Sequence, residues 1–374
     1  MVVAVRKPAP YLVSRLTAVR AAMQQRHLDG LLLSHPPDIA YLTDFTGDDS
    51  IALVTPRDLW LITDFRYKEQ AQVEAGWLRL VVRTGQMDRA LARTIARAAV
   101  RRLGFDAQHT TVADLQSLKK ALRLQKQSVK AVPLDAMVAN LRKVKDQHEV
   151  GIIRDAVEAA QEAFLAVRGR IRPGMTENHL AGLLTLEMRA RGASGSSFPV
   201  IVAAGPSSSL PHYRSGEAPV RVNQPLLIDW GALLGGYCSD LTRTLFVGRV
   251  SRRMQDIYKV VLEAQMAAIA AIGPRLTTHQ ADKVARDIIR KAGYGKYFGH
   301  GLGHGIGREI HELPALRKTG ADEPLRPGMV VTVEPGIYLP GEGGVRIEDD
   351  VLITPSGCEV LSSLDKSLAG CRID

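Results

Sequence analysis

Two apolar segments carry the acidic residues that first suggest chemistry. The segments 225–230 and 237–247 are rich in strand-forming residues, and the Gly235-Gly236 pair lies between them. This pattern predicts a β-hairpin with one acid, Asp229 or Asp240, in each strand. The two acids are almost equidistant from the glycine pair, so we expect their carboxylates to face each other. Like charges this close in an apolar sheet require a proton or a cation between them. The alternative is that one acid is a surface residue of an irregular turn.

A second pair of acids lies in a similar setting near the end of the chain. Two apolar segments, 330–338 and 345–354, flank a glycine-rich turn, and Glu334 and Glu348 have their midpoint at Gly341 in that turn. Four acids in apolar strands indicate a metal site when imidazole groups lie nearby. The segment GHGLGHGIGREIHE supplies three candidates, which are His300, His304 and His311. We expect its glycines to let the backbone approach the metals.

The composition is typical of a globular protein of more than one domain. The chain has 374 residues, of which 45% are hydrophobic and 24% charged. No apolar segment follows the basic residues near the N-terminus, and no apolar run approaches the roughly 20 residues of a membrane span, so we expect neither a secretory signal nor a membrane partner. The three cysteines form no C-x-x-C pair, which favours the cytoplasm.

The formal net charge of +10 could indicate a nucleic-acid partner. Basic residues gather at 119–130 and 142–145, but they are spaced as on a solvated helix face. Aromatic residues make up only 5% of the chain. We therefore expect a solvated basic surface and no nucleic-acid partner.

The first part of the chain alternates short apolar strands with amphipathic helices. Strands are predicted at 30–33, 51–54 and 59–63, a turn at 35–38, and a helix at 87–102. This alternation predicts a compact α/β domain over residues 1–140, with a second domain over residues 141–374.

The second part contains an internal repeat. The motif I-x-P-x-x-T begins at Ile171 and again at Ile272, 101 residues later, and each copy separates two predicted helices. Each copy is then followed by a hairpin that holds two acids. We interpret this order as a duplication, with the metal site formed where the two half-domains meet.

The acids and the imidazole at 304, in these surroundings, resemble the metal site of the pita-bread metallopeptidases, which include methionine aminopeptidase, aminopeptidase P and prolidase. The phrases GYCSDLTRT, GHGLGHGIG, VEPGIY and GGVRIEDD carry the resemblance. In the first part, YLTDF and TDFRY are similar to the creatinase-type N-terminal domain. The resemblance implies a two-domain α/β protein: a creatinase-like domain followed by a pita-bread catalytic domain, in which a pseudo-twofold α+β arrangement surrounds a curved antiparallel sheet. Arg308 departs from the family pattern and puts the chemistry of one pocket wall in doubt.

The resemblance also implies how the site residues divide their roles. Asp229 would bind one divalent metal, His304 and Glu334 the other, and Asp240 and Glu348 both. Oxygen-rich ligation with one imidazole favours Mn, then Co, Fe or Zn. A hydroxide bridging the two metals would be the nucleophile, and Glu334 would exchange its proton.

Further residues match family positions near the substrate. His212 and His311 would stabilise the tetrahedral intermediate or donate to the leaving group, and His300 would contact substrate. Arg346 shares a strand face with Glu348 and would either pair with a substrate carboxylate or orient a ligand carboxylate. The implied reaction is hydrolysis of the Xaa-Pro bond at the N-terminus of short peptides, by a homodimer.

Several alternatives remain at this point. The enzyme is either a dipeptidase (prolidase) or an aminopeptidase that accepts longer chains. Creatinase-like hydrolysis without metal is disfavoured, because that branch lacks the ligand set. A non-catalytic pita-bread binding module, for nucleic acid or a charged protein partner, is disfavoured for the same reason.

Overall fold

The computed structural model describes residues 7–373 and divides the chain into two compact units, the first ending at Arg142 and the second beginning at Lys143. Each unit has its own apolar core. No helix among residues 7–373 combines the length and apolar character needed to cross a membrane.

The first unit is a six-stranded mixed sheet with helices on both faces. Its strands are β1 (Gly30–Leu33), β2 (Ile51–Val54), β3 (Leu59–Thr63), β4 (Arg79–Val82), β5 (Arg102–Asp106) and β6 (Lys130–Leu134), in the spatial order β4-β3-β2-β1-β5-β6. Its helices are α1 (Pro10–Gln25), α2 (Pro36–Thr43), α3 (Lys68–Ala75), α4 (Met87–Arg97), α5 (Val112–Leu124) and α6 (Met137–Arg142).

Period-two alternation in the strands creates two separate apolar layers. Leu31 and Leu33 of β1 pack with α1 and α2, whereas Leu32 packs with α4 and α5 on the opposite face. Both faces of the central strands are therefore buried, which explains why β1 reads as an uninterrupted apolar run.

Two local predictions in this unit are wrong. The segment predicted as a turn at 35–38 begins α2, because a proline in the first turn of a helix loses no hydrogen bond that an N–H would have made there. The helix predicted to reach residue 102 ends at Arg97, and the chain then turns through Ala99 at a φ of 55° before β5 begins.

The basic cluster at 142–145 is also not a solvated surface. Arg142 lies 2.7 Å from Asp38 within the first unit, and both side chains are 2% exposed. In the second unit, Lys143 pairs with Glu323 at 2.9 Å and Lys145 with Glu312 at 3.2 Å. The basic residues at 119–130 are exposed, as predicted.

The second unit contains four long helices and several sheets whose strands are antiparallel, except that β20 pairs with β12 in parallel. The helices are α7 (Gln147–Arg168), α8 (Glu177–Ala190), α9 (Arg252–Ala271) and α10 (Thr278–Lys291). The strands are β7 (Gly195–Ser196), β8 (Ile201–Ala204), β9 (Gln224–Trp230), β10 (Ala232–Leu234), β11 (Tyr237–Cys238), β12 (Leu241–Val247), β13 (Gly303–Gly305), β14 (Glu312–Leu316), β15 (Val330–Val333), β16 (Gly336–Leu339), β17 (Gly343–Arg346), β18 (Asp349–Thr354), β19 (Gly357–Val360) and β20 (Arg372–Ile373). The two larger sheets have the orders β20-β12-β9-β8 and β14-β13-β15-β18-β19.

The structure confirms that this unit repeats its architecture. Helix α7 packs on α8 as α9 packs on α10, and the two I-x-P-x-x-T breaks lie between the members of each pair. The threonine of each break caps the following helix, and each forms an isolated bridge to a proline: Thr176 with Pro219, and Thr277 with Pro324. A third isolated bridge, Thr242 with Glu348, links the acid-bearing strands of one half to those of the other.

Candidate metal centre

A cavity of about 440 Å³ opens where the two halves of the second unit meet. All nine predicted site residues line it: Asp229, Asp240, His304, Glu334, Glu348, His212, His300, His311 and Arg346. The acids lie on strands or at strand ends, whereas His212 and His311 lie on loops.

The first acid-bearing hairpin differs from the prediction in register. Asp229 pairs with Thr242, and Leu234 pairs with Tyr237 across the Gly235-Gly236 turn. Asp240 is therefore two residues from the position opposite Asp229, and the two acids are not directly opposed. Both glycines have positive φ values, 57° and 76°, as a two-residue hairpin turn requires. An offset of two residues keeps both acids on one face, so both still reach the cavity.

The second hairpin has the predicted register. Val333 pairs with Asp349 on one side of the acids, and Gly336 pairs with Arg346 on the other. Glu334 and Glu348 lie between these two ladders, in register with both. They are thus directly opposed at the point where the hairpin passes from one sheet to another.

His304 reaches the acids because two glycines let β13 lie close to its neighbours. A Cβ atom at Gly303 would lie 2.0 Å from the carbonyl oxygen of Thr332, and one at Gly305 would lie 2.3 Å from that of Leu313. Strand packing therefore requires glycine at these two positions. The backbone N–H of His304 donates to Thr332 Oγ1 at 3.0 Å, which fixes the strand beside Glu334.

Three of the predicted ligands already present atoms to a common point. One ligand atom each from Asp240, His304 and Glu348 lies within 4.8 Å of the other two. His304 Nε2 is 3.6 Å from Asp240 Oδ2 and 3.5 Å from Glu334 Oε1. His304 Nδ1 donates to the carbonyl oxygen of Gly305 at 3.0 Å, so Nε2 directs its lone pair at the carboxylates.

The electrostatics of this cluster fit divalent cations. Burial raises the pKa of Glu334 to about 7, against the lowering effect of Arg346. Burial and then repulsion from neighbouring carboxylates raise the pKa values of Asp240 and Glu348 well above the usual range. Burial lowers the pKa of His304 to about 4, so the imidazole is neutral. A divalent metal would neutralise the negative charge of carboxylates that repel one another, and a neutral imidazole has a lone pair to coordinate it.

Asp229, the remaining carboxylate of the cluster, contacts Arg346 through only one of its two oxygens. Its Oδ2 accepts a hydrogen bond from Arg346 Nη2 at 2.5 Å, while its Oδ1 is buried and has no hydrogen-bond partner. An unpartnered buried carboxylate oxygen is costly unless a cation completes its contacts. The guanidinium thus uses one oxygen of Asp229, and the other oxygen has no hydrogen-bond partner in the described structure.

Arg346 organises the wall behind the acids. Its Nε donates to Thr242 Oγ1 at 3.1 Å, and that hydroxyl donates to Glu348 Oε2 at 2.5 Å. Its Nη1 donates to Tyr338 Oη at 2.9 Å. The guanidinium is occupied by protein partners, which supports the interpretation that it orients a ligand carboxylate over the one in which it binds substrate.

The three other histidines occupy different environments. His300 is held by Tyr338, whose hydroxyl lies 2.8 Å from its Nε2, and burial lowers its pKa to about 4. His311 is exposed, and its ring centroid lies 4.4 Å from that of His304. His212 is exposed on the segment that follows β8.

Sequence reasoning missed several residues at this site. Tyr338 and Thr242 contact the ligands or Arg346. Each lies an even number of residues after an acid, Glu334 or Asp240, and this spacing is a signal that becomes clear only once the structure is known. Arg214 and Arg317 line the cavity and gave no signal, since they lie on irregular segments or strand ends. Arg308 is not among the lining residues. Its guanidinium carbon lies 4.6 Å from the Tyr237 ring centroid, so the departure from the family pattern does not alter the cavity wall.

Comparisons with known proteins agree with this architecture. The sequence matches metallopeptidase family M24 over residues 151–355 and the creatinase/prolidase N-terminal domain over residues 15–144. An uncharacterized peptidase of Bacillus subtilis is 38% identical, and the match covers 95% of this chain and 99% of the relative. The structure of an Xaa-Pro dipeptidase from Bacillus anthracis has a TM-score of 0.92 and 38% identity, covering 97% of this chain and all of that one. The structure of an X-Pro aminopeptidase from Thermotoga maritima has a TM-score of 0.86 and 36% identity, covering 92% and 99%.

Gly303→Ala tests the link between strand packing and metal binding. The added methyl group displaces β13 from Thr332 and moves His304 away from the carboxylates, so we expect the affinity for a divalent metal to fall about 10–100-fold. Titration calorimetry with Mn²⁺ measures the change. Gly299→Ala is the matched control, because no atom lies within 4 Å of its added Cβ. Wild-type affinity in Gly303→Ala would show that β13 tolerates the methyl group and that the glycine is not needed at this site.

Proposed function

The chain belongs to metallopeptidase family M24 and is a peptidase, and we propose that it hydrolyses the Xaa-Pro bond at the N-terminus of short peptides. The observation that carries the proposal is the group of four carboxylates and one neutral imidazole, each buried or half-buried, that lines a cavity of about 440 Å³. The proline specificity is supported by similar proteins that are named Xaa-Pro dipeptidase or X-Pro aminopeptidase.

The residues present fit two divalent metals, and we assign Mn²⁺ as the native ion. In this proposal Asp229 would hold one ion through its unpartnered Oδ1, His304 and Glu334 would hold the other, and Asp240 and Glu348 would contribute to both. Carboxylate-rich ligation suits Mn²⁺, and the absence of a thiolate among these residues supports this choice over softer ions. When bound, such ions supply an activated water and polarise the peptide carbonyl.

The protein groups then have distinct tasks around the scissile bond. Glu334, which lines the cavity beside His304, accepts a proton from the attacking water and returns it to the proline nitrogen. His212 and His311 line the cavity from its loop side, where they can donate to the carbonyl oxygen as it gains negative charge. An Xaa-Pro amide has no N–H, so the site needs no acceptor for one.

Two arginines provide a place for the peptide's carboxylate. Arg214 and Arg317 line the cavity, and neither forms an ion pair with any acid in the described part of the chain. Arg346 is unsuited to this task, because its guanidinium already contacts Asp229 and Tyr338.

The same cavity supplies apolar surface for the proline ring, which is provided by Phe198, Ile201 and Ile310.

We also propose that the enzyme works in the cytoplasm as a homodimer. Its three cysteines form no C-x-x-C pair, which supports a reducing compartment. Sedimentation equilibrium tests the dimer, since we expect twice the mass of the 40.7 kDa chain, and the mass of one chain would contradict it.

Glu334→Gln tests the assignment of the proton acceptor. The amide keeps the size of the side chain but cannot take up a proton, so we expect kcat to fall by at least about 10²-fold while the protein remains folded. Asp240→Asn removes a charge shared by both metals, and we expect both metal content and turnover to fall. Glu342→Gln is the control, because Glu342 is exposed and pairs only with the surface residue Arg253. Wild-type rates in Glu334→Gln and Asp240→Asn would refute the metal mechanism.

Hydrolysis of Ala-Pro and of Ala-Pro-Ala, in Mn²⁺ and after chelation, tests the substrate class. Chelator-sensitive cleavage of the dipeptide alone would identify a dipeptidase, and cleavage of both would identify an aminopeptidase. We expect Arg317→Ala to raise KM for Ala-Pro about 10–100-fold with little change in kcat, because a charge-assisted hydrogen bond to the carboxylate is lost. Lys318→Ala, the exposed neighbour, should leave KM unchanged. Absence of cleavage with metal bound would exclude the proline specificity, and absence of bound metal would favour a non-catalytic binding module.

A further inference from the structure

A buried carboxylate outside the metal centre holds the segment that carries His212. Glu177 is the first residue of α8, and its side chain is fully buried. Its Oε1 accepts from the backbone N–H of Ala204 at 2.8 Å, and its Oε2 accepts from the backbone N–H of Gly216 at 2.9 Å and from Tyr213 Oη at 2.9 Å. Three donors and a helix N-terminus offset the cost of burying this charge.

The three donors belong to one loop: two are backbone N–H groups at its two ends, and the third is a side chain within it. Ala204 is the last residue of β8, Gly216 follows the loop, and Tyr213 lies between the cavity-lining residues His212 and Arg214. We name residues 205–215 the cavity loop. Neither His212 nor Arg214 makes a side-chain hydrogen bond to the described part of the chain, so their positions depend on how the cavity loop itself is held.

The remaining contacts of the cavity loop leave this dependence in place. Ser215 Oγ donates to the carbonyl oxygen of Val200 and accepts from the backbone N–H of Val202, and the backbone N–H of Gly344 donates to Ser208 Oγ. These contacts fix the loop on either side of His212. Next to His212, two hydrogen bonds from side chains hold the loop in the described structure: Tyr213 Oη donates to Glu177 at 2.9 Å, and Arg346 Nη1 donates to the carbonyl oxygen of Pro211 at the longer distance of 3.5 Å.

A carboxylate is the one group that suits this position. Both of its oxygens accept, and here each oxygen faces a backbone N–H on a different side. An amide has one acceptor and one donor, so Gln would place its NH₂ group against an N–H in either orientation. An apolar residue would fill the space and leave two backbone N–H groups buried without acceptors.

We propose that Glu177 is a positioning residue for the peptidase reaction. It closes the cavity loop through Ala204 and Gly216 and, through Tyr213, sets His212 and Arg214 against the bound peptide. This inference rests on the proposed function, since it assigns the two side chains to the peptide. Glu177 itself does not line the cavity and touches neither substrate nor metal.

The test compares Glu177→Gln and Tyr213→Phe with the wild-type enzyme loaded with Mn²⁺. We expect Glu177→Gln to lower kcat/KM for Ala-Pro by up to about 10²-fold, as for a displaced reacting group, with unchanged metal content. Tyr213→Phe removes a single hydroxyl and should lower kcat/KM by a smaller factor in the same direction. Glu177→Asp keeps both acceptor oxygens and should recover part of the loss. Glu187→Gln is the control on the same helix, because Glu187 pairs with the surface residues Arg170 and Arg191.

Hydrogen exchange separates this inference from the proposed function, because it requires no substrate. We expect the amides of Ala204 and Gly216 to exchange faster in Glu177→Gln, while those of β13 and β18 keep wild-type protection. Faster exchange together with wild-type kcat and KM would overturn the positioning role, as would a loss of activity matched by a loss of metal. If Glu177→Gln does not fold, Tyr213→Phe decides: wild-type kinetics in that variant would overturn the proposal. If the wild-type protein is inactive, and the amides of Ala204 and Gly216 still exchange faster in Glu177→Gln, the peptidase function would be refuted while the structural role of Glu177 would stand.

Discussion

The second unit depends on a single electrostatic constraint, the burial of four carboxylates around one cavity. Burial raises the pKa values of Asp240 and Glu348 well above the usual range, and the acids repel one another. Such a cluster is unfavourable until cations or protons neutralise it. Arg346 is the permanent cation that contacts Asp229, and it takes one oxygen of that carboxylate and leaves the other without a hydrogen-bond partner in the described structure. The remaining negative charge is what makes the site suitable for divalent metals.

The duplicated architecture makes this arrangement sterically feasible. Each half-domain brings two acids on one hairpin, and the bridge between Thr242 and Glu348 joins the two hairpins. Because each hairpin holds its acids by main-chain pairing, no flexible segment has to bring four repelling groups together. Trp230, next to Asp229, stacks on Phe164 with ring centroids 4.4 Å apart and donates to the carbonyl oxygen of Ala160. The strand that carries Asp229 is thus packed against α7, which limits its movement under repulsion.

The sequence predicts those parts of the fold and site that depend on local periodicity. Strand alternation predicts on which face of the sheet each acid lies. This prediction tolerates an error of two residues in the register: the first hairpin is offset by two residues from the predicted pairing, yet Asp229 and Asp240 still share a face. Contacts between distant segments are not predictable in this way. The basic residues at 142–145 look solvated in the sequence, but their acidic partners are 104 or more residues away. The two prolines that begin α2 suggest a turn in the sequence, because the helix is only eight residues long and has no side-chain cap that would identify its start.

The same distinction divides the candidate site into two kinds of residue. The proposed metal ligands lie on strands or directly beside them, so their spacing reveals them. The groups that we propose for the substrate, among them His212 and His311, lie on loops. In our proposal, single contacts such as that between Glu177 and Tyr213 set the position of His212. A metal site requires ligand atoms that are fixed to a fraction of an ångström. The surface that binds the peptide has to differ between relatives that accept peptides of different lengths. Loops can change without disturbing the ligand strands, so one metal site can serve both dipeptidases and aminopeptidases. We therefore propose that the loop residues, and not the ligands, decide which peptides this enzyme accepts.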